Sequence, residues 1–326
     1  MPWLRGPRPT ISMGAYPGTQ GESLRINSDP EDVPLDVPTD ILCSYHYYKD
    51  VDIAEVQGWG TRIIGDSGAF SAFSVGAPID REDFHAWAAR WQEHLFWIAS
   101  LDVLGNVKES RANFLAAQRD GLNLVPTIHY LGGPEELDWY VEHGADLVGL
   151  GGTVGLNDIR RLRWYLTLFR YARDNHPGVR FHGWGASGPI LLDNLPWWST
   201  DSSGFAAAFM YGRLKLFDPR RGKFVAVDLN GHQIARHAKL LREHYHVDWR
   251  KILVSTPETR RPLARVAIKA VQLYGDWLRK RQQVSPPESL RAKLEQAETL
   301  GPIPTPSMGS PSMQPHKGIS PEGTKI

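Results

Sequence analysis

The sequence predicts a single-domain (β/α)8 TIM barrel, an α/β fold, because three patterns occur together. Short apolar segments rich in β-branched residues alternate with amphipathic helical segments over about 245 residues, close to the usual size of such a barrel. No linker rich in Pro, Gly or Ser divides these residues. A Gly-rich phosphate-binding turn, which an open doubly wound sheet would normally carry, does not follow the first apolar segment.

Eight apolar segments have the length and composition of strands. In chain order they are residues 41–46, 62–66, 96–102, 124–129, 146–150, 179–184, 197–201 and 223–228. Helical periodicity is clearest between them, where apolar side chains recur at 84, 87, 88, 91 and 95, and at 159, 162, 166 and 169. Two further helices, over 234–245 and 263–277, follow the last segment. We therefore expect eight strands separated by helices.

The composition is that of a globular protein and sets the limits of the predicted domain. Of the 326 residues, 41% are hydrophobic and 22% are charged. No apolar stretch approaches the ~20 residues of a membrane-spanning helix, and no secretory signal is visible, so we expect a cytoplasmic protein without membrane contact. Both ends are rich in Pro, Gly and Ser. We expect a partly irregular N-terminal extension at 1–38, the barrel at 39–282 and a flexible tail at 283–326.

Charge and cysteine content restrict the partners and the metal sites that the chain can have. The 37 basic and 36 acidic residues nearly cancel, so the net charge indicates no polyanionic partner. Basic residues do cluster at 160–173 and at 213–223, which permits a nucleic-acid surface without requiring one. Cys43 is the one cysteine, so the chain alone can form neither an internal disulfide nor a Cys-rich zinc site.

Six ionisable residues end or follow the predicted strands, where barrel enzymes place their catalytic groups. They are His46, Asp66, Asp102, His129, His182 and Asp201. Any one of the aspartates alone is adequately explained as a helix N-cap. Together with Gly-rich turns at 132–133, 149–155 and 183–188, the six residues predict one site at the mouth of the barrel.

One interpretation of these residues is a divalent metal site. His46, His129, His182 and Asp201 carry the donor atoms of a metal-dependent barrel hydrolase. None of them belongs to a His-x-His or His-Glu-x-x-His pair, which argues mildly against this hypothesis. A barrel that binds nucleic acid without catalysis is another alternative.

A family resemblance favours a different chemistry. Residues 66–71 read Asp-Ser-Gly-Ala-Phe-Ser, which resembles the Asp-Ser-Gly-Gly-Phe-Gln signature of the tRNA-guanine transglycosylases. These barrel enzymes exchange a guanine in a nucleic acid for a 7-deazaguanine. Three weaker matches follow in the family's order. They are Leu-Asp at 101–102, Gly-Gly at 151–152, and His-Gly-Trp-Gly at 182–185 with Asp201 beyond it.

The resemblance implies a role for each matching residue. Asp201 is expected to attack C1′ of the sugar and hold it as a covalent ester, while Asp66 acts as general acid or base. Asp102 is expected to accept hydrogen bonds from the guanine edge. The other expected base-binding residues are Ser67, Gly68, Phe70, His129, Gly151, Gly152 and Trp184. The exchange requires no cofactor and no metal.

Departures from the family's pattern favour DNA as the substrate. The tRNA enzymes hold a structural zinc with three Cys and one His, and this chain lacks that Cys-rich subdomain. Ala69 and Ser71 replace a Gly and a Gln of the signature. The compact chain is more similar to the phage and bacterial DNA-guanine transglycosylases, the DpdA family, which place 7-deazaguanines in DNA.

We therefore expect a DNA-binding transglycosylase that acts in the cytoplasm, or in that of the host if a bacteriophage encodes it. The target guanine leaves the duplex, and 7-cyano-7-deazaguanine (preQ0) replaces it. A tRNA substrate is the alternative within the same family. The sequence does not decide whether the chain forms a homodimer or works with accessory DNA-modification proteins.

Overall fold

The computed structural model describes residues 8–12, 33, 35, 39–57, 62–229, 231–253 and 256–299. Nine strands form one parallel sheet in the order β5-β4-β3-β2-β1-β9-β8-β7-β6. The strands are β1 Arg8–Ser12, β2 Asp40–Ser44, β3 Arg62–Asp66, β4 Ile98–Ala99, β5 Leu124–Val125, β6 Thr127–His129, β7 Leu147–Gly151, β8 Arg180–Gly183 and β9 Ser199–Ser202.

The sheet closes into a ring, which confirms the predicted barrel. We call each strand position of the barrel a stave. β5 and β6 are consecutive halves of one such stave, interrupted at Pro126, which has no N–H to donate. β4 pairs with β5, β6 pairs with β7, and β1 pairs with both β2 and β9. The nine strands therefore form eight parallel staves, and the carboxyl ends of all of them face the same mouth.

Helices cover the outside of the ring between successive staves. The α-helices are Tyr45–Tyr48, Ile53–Gln57, Ala69–Val75, Arg81–Trp91, Val107–Arg119, Pro134–Glu142, Asp158–Asn175, Pro189–Asn194, Ala207–Tyr211, Gly231–Ala235, Ala238–Leu240, Pro257–Gln282 and Glu288–Thr299. Shorter turns of other helix types lie at Gly204–Ala206, Leu241–Tyr245 and Trp249–Ile252. Within the described residues, no helix is long and apolar enough to cross a membrane.

Two of the predicted helix faces can be compared with the burial that the structure shows. In helix Arg81–Trp91 the apolar positions at 84, 87, 88 and 91 are all buried, as their spacing predicts. In helix Asp158–Asn175 the predicted positions at 162, 166 and 169 are partly buried and pack against the core, as their spacing predicts, whereas Ile159 is exposed. The most buried positions of this helix are Tyr165, Leu168 and Ala172, and Tyr165 packs edge-on against Trp197.

The first and last staves differ from the prediction. The segment 223–228, predicted as the eighth strand, forms an antiparallel hairpin outside the ring, with β10 Arg213–Asp218 and β11 Lys223–Asp228. A tight turn with Gly222 at φ +62° joins its strands, and such a turn imposes antiparallel pairing. The eighth stave is β9, because β1 supplies the first stave from the segment assigned to the N-terminal extension. The barrel thus begins before residue 39.

The segment after the barrel also differs from the prediction. Residues 283–326 were expected to form a flexible tail, but Glu288–Thr299 is helical. Its buried Leu290 and Leu294, one turn apart, join a cluster with Phe96, Trp97 and Trp198 at the amino-terminal end of the barrel. Burial of this apolar face accounts for the helix, and the residues beyond 299 lie outside the described part of the chain.

Candidate functional site

Three carboxylates meet at the mouth of the barrel. Asp66 ends β3, Asp102 follows β4, and Asp201 lies in β9. The three residues come from different staves, but the charges of Asp102 and Asp201 both act on the Asp66 carboxyl and raise its pKa. The structure therefore brings together the two residues assigned to catalysis and the one assigned to guanine recognition.

Asp66 has the properties of an acid or base that works near neutral pH. Burial contributes most to raising the pKa of its carboxyl to about 7, the negative charge of Asp102 adds to it, and the N–H of Gly68 opposes the shift. A carboxyl in this range exists in both protonation states near neutral pH, so it can donate a proton in one step and accept one in another.

The turn after Asp66 depends on its glycine. Gly68 has φ +76°, a conformation that favours glycine, and it precedes helix Ala69–Val75. A Cβ at this position would lie 2.6 Å from the Cβ of His46 and would also collide with the Ser44 hydroxyl. Ser67 is buried, and its Oγ accepts a hydrogen bond from Ala69 N–H at 3.3 Å. The signature residues Ser67 and Gly68 therefore hold the loop that presents Asp66.

We expect Gly68→Ala to destabilise the protein by about 2–4 kcal/mol, since it adds both left-handed strain and a steric clash. Gly76→Ala is the matched control because Gly76 caps the other end of the same helix at φ +67° with open space around it. That variant should cost only about 1 kcal/mol. Urea unfolding of both variants measures the difference, and equal losses would show that the contact with Ser44 and His46 is unimportant.

Asp102 is paired with His129 across the mouth. Asp102 Oδ2 and His129 Nε2 are 2.6 Å apart, and both side chains are largely buried. Burial alone would lower the pKa of His129, but the hydrogen bond and charge of Asp102, together with the charge of Glu136, outweigh it and raise that pKa. The Asp102–His129 pair is therefore a charged group at the position where Asp102 was predicted to bind the edge of the base.

Asp201 accepts a hydrogen bond from the backbone and lies close to a buried histidine. Its Oδ1 accepts a hydrogen bond of 2.6 Å from the N–H of Gly185, in the loop after β8. His182 Nε2 is 3.7 Å from the same oxygen, and His182 Nδ1 is 2.7 Å from Ser199 Oγ. Burial lowers the pKa of His182, so its imidazole is neutral next to the carboxylate. These contacts orient the carboxylate.

Trp184 forms part of the inner wall of the barrel. Its indole Nε1 donates to Thr127 Oγ1 at 3.0 Å, and its ring meets His182 edge-on at 4.3 Å between centroids. The indole lies directly on Gly149 and Gly151, where a Cβ would collide with it. Two of the Gly residues in the segment 149–155 are therefore explained by packing against Trp184.

The remaining predicted residues occupy different parts of the mouth. Gly152 has φ +69° and lies against His129 and the N–H of Tyr130. Phe70, in the first turn of its helix, is 55% exposed and is therefore accessible to a ligand. His46 lies in the short helix after β2 beside the Gly68 loop. Among the residues that the structure describes, no three His, Cys, Asp or Glu side chains are arranged to hold a metal ion, so the proposed ligand set of His46, His129, His182 and Asp201 does not form one site.

Sequence reasoning missed two parts of this site. Ser199 is two residues before Asp201 on the same strand, and the two-residue period of a strand could have identified it as facing His182. Gly185 was placed in a Gly-rich turn and in the motif at 182–185, and nothing in the sequence indicates that its N–H binds Asp201.

Comparisons with known proteins assign no family. No family model matches the chain, and no curated protein matches it. Solved structures with a similar arrangement include a protein assigned as a fructose-1,6-biphosphate aldolase from Coccidioides immitis, with 13% identity, a TM-score of 0.46, and coverage of 84% of this chain and 93% of that one. The YdjI aldolase from Escherichia coli K12 has 10% identity, a TM-score of 0.41, and coverage of 83% and 92%. The type I 3-dehydroquinate dehydratase from Clostridium difficile has 11% identity, a TM-score of 0.42, and coverage of 60% and 84%.

Proposed function

We propose that this protein is a DNA-guanine transglycosylase, which exchanges a guanine in DNA for a 7-deazaguanine through a covalent bond between Asp201 and the sugar. The observation that carries the proposal is the convergence of Asp66 and Asp201 on one barrel mouth, with the pKa of Asp66 raised to about 7. A glycosyl exchange requires one carboxylate that attacks C1′ and one group that moves a proton between its two half-reactions.

In the first half-reaction, a carboxylate oxygen of Asp201 attacks C1′ and the bond from C1′ to N9 of guanine breaks. Gly185 N–H donates to Asp201 Oδ1 and so orients the attacking carboxylate. Protonated Asp66 gives its proton to the departing guanine, whose ring receives the electron pair of the broken bond. The product is a sugar ester of Asp201 and an ionised Asp66.

In the second half-reaction, ionised Asp66 takes the N9 proton of the incoming 7-deazaguanine. N9 then attacks C1′, the ester bond breaks, and its electron pair returns to the Asp201 carboxylate. Both aspartates end in the state in which they began, so the cycle requires no external acid, base or oxidant. A pKa near 7 suits a group that must be an acid in one step and a base in the next.

The base would bind between the two catalytic carboxylates and the wall opposite. Asp102 Oδ1 would accept from the guanine N1–H and amine, because Oδ2 is engaged by His129. The backbone of Gly151 and Gly152 would contact the base edge, Ser67 and Gly68 would border it, and Phe70 would stack on its face. Trp184 would close the inner end of the pocket. Edge contacts and stacking of this kind offset the cost of taking a nucleotide out of its duplex.

Capture of the intermediate tests the proposal. A guanine-containing oligonucleotide is mixed with the protein and quenched in denaturant, and a covalent protein–DNA adduct is expected, together with release of labelled guanine when 7-cyano-7-deazaguanine is added. A parallel reaction with tRNA tests the alternative substrate. Guanine exchange in tRNA alone would indicate a tRNA-guanine transglycosylase. Absence of guanine exchange in both DNA and tRNA would overturn the proposal.

Asp102→Asn should weaken selection of guanine more than it weakens DNA binding, because it replaces one acceptor with a donor at the base edge and leaves the phosphate contacts unchanged. We expect the discrimination between guanine and adenine to fall roughly 10- to 100-fold, the effect of one mismatched polar contact. Competition between labelled bases measures selection, and filter binding measures DNA retention. An equal loss in both assays would remove Asp102 from base recognition.

A further inference from the structure

Two apolar side chains are exposed on neighbouring loops at the mouth of the barrel. Leu131 follows β6 and is 80% exposed, and Val154 follows β7 and is 79% exposed. Among the residues that the structure describes, no other large apolar side chain is as exposed. The loops lie side by side, because the N–H of Tyr130 donates to the carbonyl of Gly151 at 2.9 Å. Together they present apolar surface beside the residues assigned to the base edge.

The turn that carries Leu131 is held by hydrogen bonds and by an aromatic contact. Gly132 N–H donates to the carbonyl of His129 at 2.8 Å, which makes Leu131 the third residue of a four-residue turn. The indole of Trp164 donates to the carbonyl of Gly132 at 2.8 Å, and its ring packs edge-on against Tyr130. The side chain of Leu131 is therefore exposed on a backbone that its neighbours fix in place.

Leu131 has a backbone conformation that leucine rarely adopts. Its φ is +79°, in the left-handed region that favours glycine and asparagine. The neighbouring turn, closed by Leu156 N–H on the carbonyl of Thr153, has Val154 second and Gly155 third, at φ +82°. A leucine thus occupies the position that the adjacent loop gives to glycine. Because an exposed side chain recovers little of this strain by packing, the strain indicates that the side chain itself has a role.

A cation lies next to these apolar tips. Arg160 is one helical turn from Trp164, which contacts the Leu131 turn, and residues four apart share a helix face. Because this helix follows β7 and starts at the mouth, Arg160 is one turn closer to the mouth than Trp164. Arg160 is exposed, and within the described residues it forms no ion pair. A cation beside exposed apolar side chains suits a nucleic acid, which offers phosphates next to stacked bases.

We propose that Leu131 and Val154 enter the DNA duplex as an apolar wedge where the target nucleotide has left it, with Arg160 on an adjoining phosphate. The inference rests on the proposed function. A guanine reaches the catalytic carboxylates only after it leaves its stack, and apolar side chains that enter the vacated space stabilise the opened duplex. The two tips follow His129 and Gly152, which border the base in the proposed function, so a wedge there lies next to the flipped nucleotide.

The test compares the same target guanine in a perfect duplex and in a single strand. In the Leu131→Asn/Val154→Asn variant, kcat/KM for the duplex should fall about 10- to 100-fold, because the wedge no longer offsets the cost of unstacking. For the single strand, which has no base pair to open, kcat/KM should change by less than about threefold. Asn adopts the left-handed conformation more readily than Leu, so Leu131→Asn alone should not lower the thermal midpoint. The control Leu131→Met/Val154→Ile keeps the apolar bulk and should exchange guanine in the duplex within about threefold of the wild type.

Fluorescence provides a readout that a structural defect alone would not change. 2-Aminopurine placed next to the target guanine is quenched in the stacked duplex and becomes brighter when its neighbour leaves the stack. The wild type at saturating concentration should increase this fluorescence, and the Leu131→Asn/Val154→Asn variant at saturating concentration should not.

A second pair of variants tests the phosphate contact. Arg160→Ala should raise the KM for the duplex about 3- to 10-fold and reduce the slope of log Kd against log salt by about 1. Arg170→Ala is the matched control, because Arg170 is exposed on the same helix about 15 Å further from the mouth. It should leave both quantities unchanged.

Three results would overturn the inference while exchange by the wild type leaves the proposed function intact. They are equal losses on duplex and single strand in the Leu131→Asn/Val154→Asn variant, undiminished exchange in the duplex by that variant, and exchange by the wild type in single strands alone. If the wild type exchanges no guanine in any DNA, the proposed function fails and this inference fails with it.

Discussion

Asp201→Asn should abolish guanine exchange and covalent capture while the protein stays folded. An amide is not a nucleophile toward C1′, so we expect the exchange rate to fall at least about 10⁴-fold, as for removal of other enzymic nucleophiles. The amide oxygen can still accept the hydrogen bond from Gly185, which is why Asn is preferred to Ala for this test. The measurements are labelled-guanine release and adduct formation in denaturant.

Folding and DNA binding of the Asp201→Asn variant provide the control. Its thermal midpoint and its Kd for DNA should stay near those of the wild type, because the change preserves shape and the nearest hydrogen bond. Turnover within tenfold of the wild type, with no adduct in either protein, would exclude Asp201 as the nucleophile and with it the two-step exchange.

Asp66→Asn should reduce the exchange rate by about 10²- to 10⁴-fold, the contribution of a general acid or base. In the wild type the first half-reaction requires protonated Asp66. Guanine release should therefore fall about tenfold per pH unit above the pKa of about 7. In the Asp66→Asn variant, this decrease in guanine release above pH 7 should be absent. A wild-type rate that is constant from pH 6 to 9 would contradict the acid role of Asp66.

The same substitution should change the pH dependence of stability. Because the pKa of Asp66 is raised in the folded protein, folding takes up a proton between the unfolded and folded pKa values, and the stability of the wild type falls as pH rises from about 4 to about 7. Asn cannot ionise, so the stability difference in favour of the variant should grow over that interval, by up to about 4 kcal/mol, and stay constant above it. Urea unfolding at pH 5 and pH 8 measures this difference.

The sequence was sufficient for the parts of the site that lie next to strand ends. Asp66, Asp102 and Asp201 were predicted to converge because the carboxyl ends of parallel staves share one face, and the structure places them on it. Gly151 was predicted as a base contact and Gly149 as part of a Gly-rich turn, but the packing of both on Trp184 depends on a side chain from the next stave. Contacts between side chains of neighbouring staves depend on the register of the sheet, which the sequence alone does not give.

The seven staves from β2 to β9 were predictable because each is an apolar run between helices, whereas β1 was missed. Its five residues, Arg8–Ser12, lie in a segment whose composition resembles that of an irregular extension, and only pairing with β2 and β9 identifies them as a strand. The hairpin strand Lys223–Asp228 has the composition of a stave, so tertiary pairing and not propensity decided its position.

The ring is closed by β1, which lies between β2 and β9. Thr10 of β1 pairs in register with Asp201, so this short strand closes the ring beside Asp201. A product that starts at residue 39 would expose unbonded backbone along both β2 and β9, and such edges promote association with other copies. A chain that lacks β1 is therefore expected to aggregate, with Asp201 at the open edge.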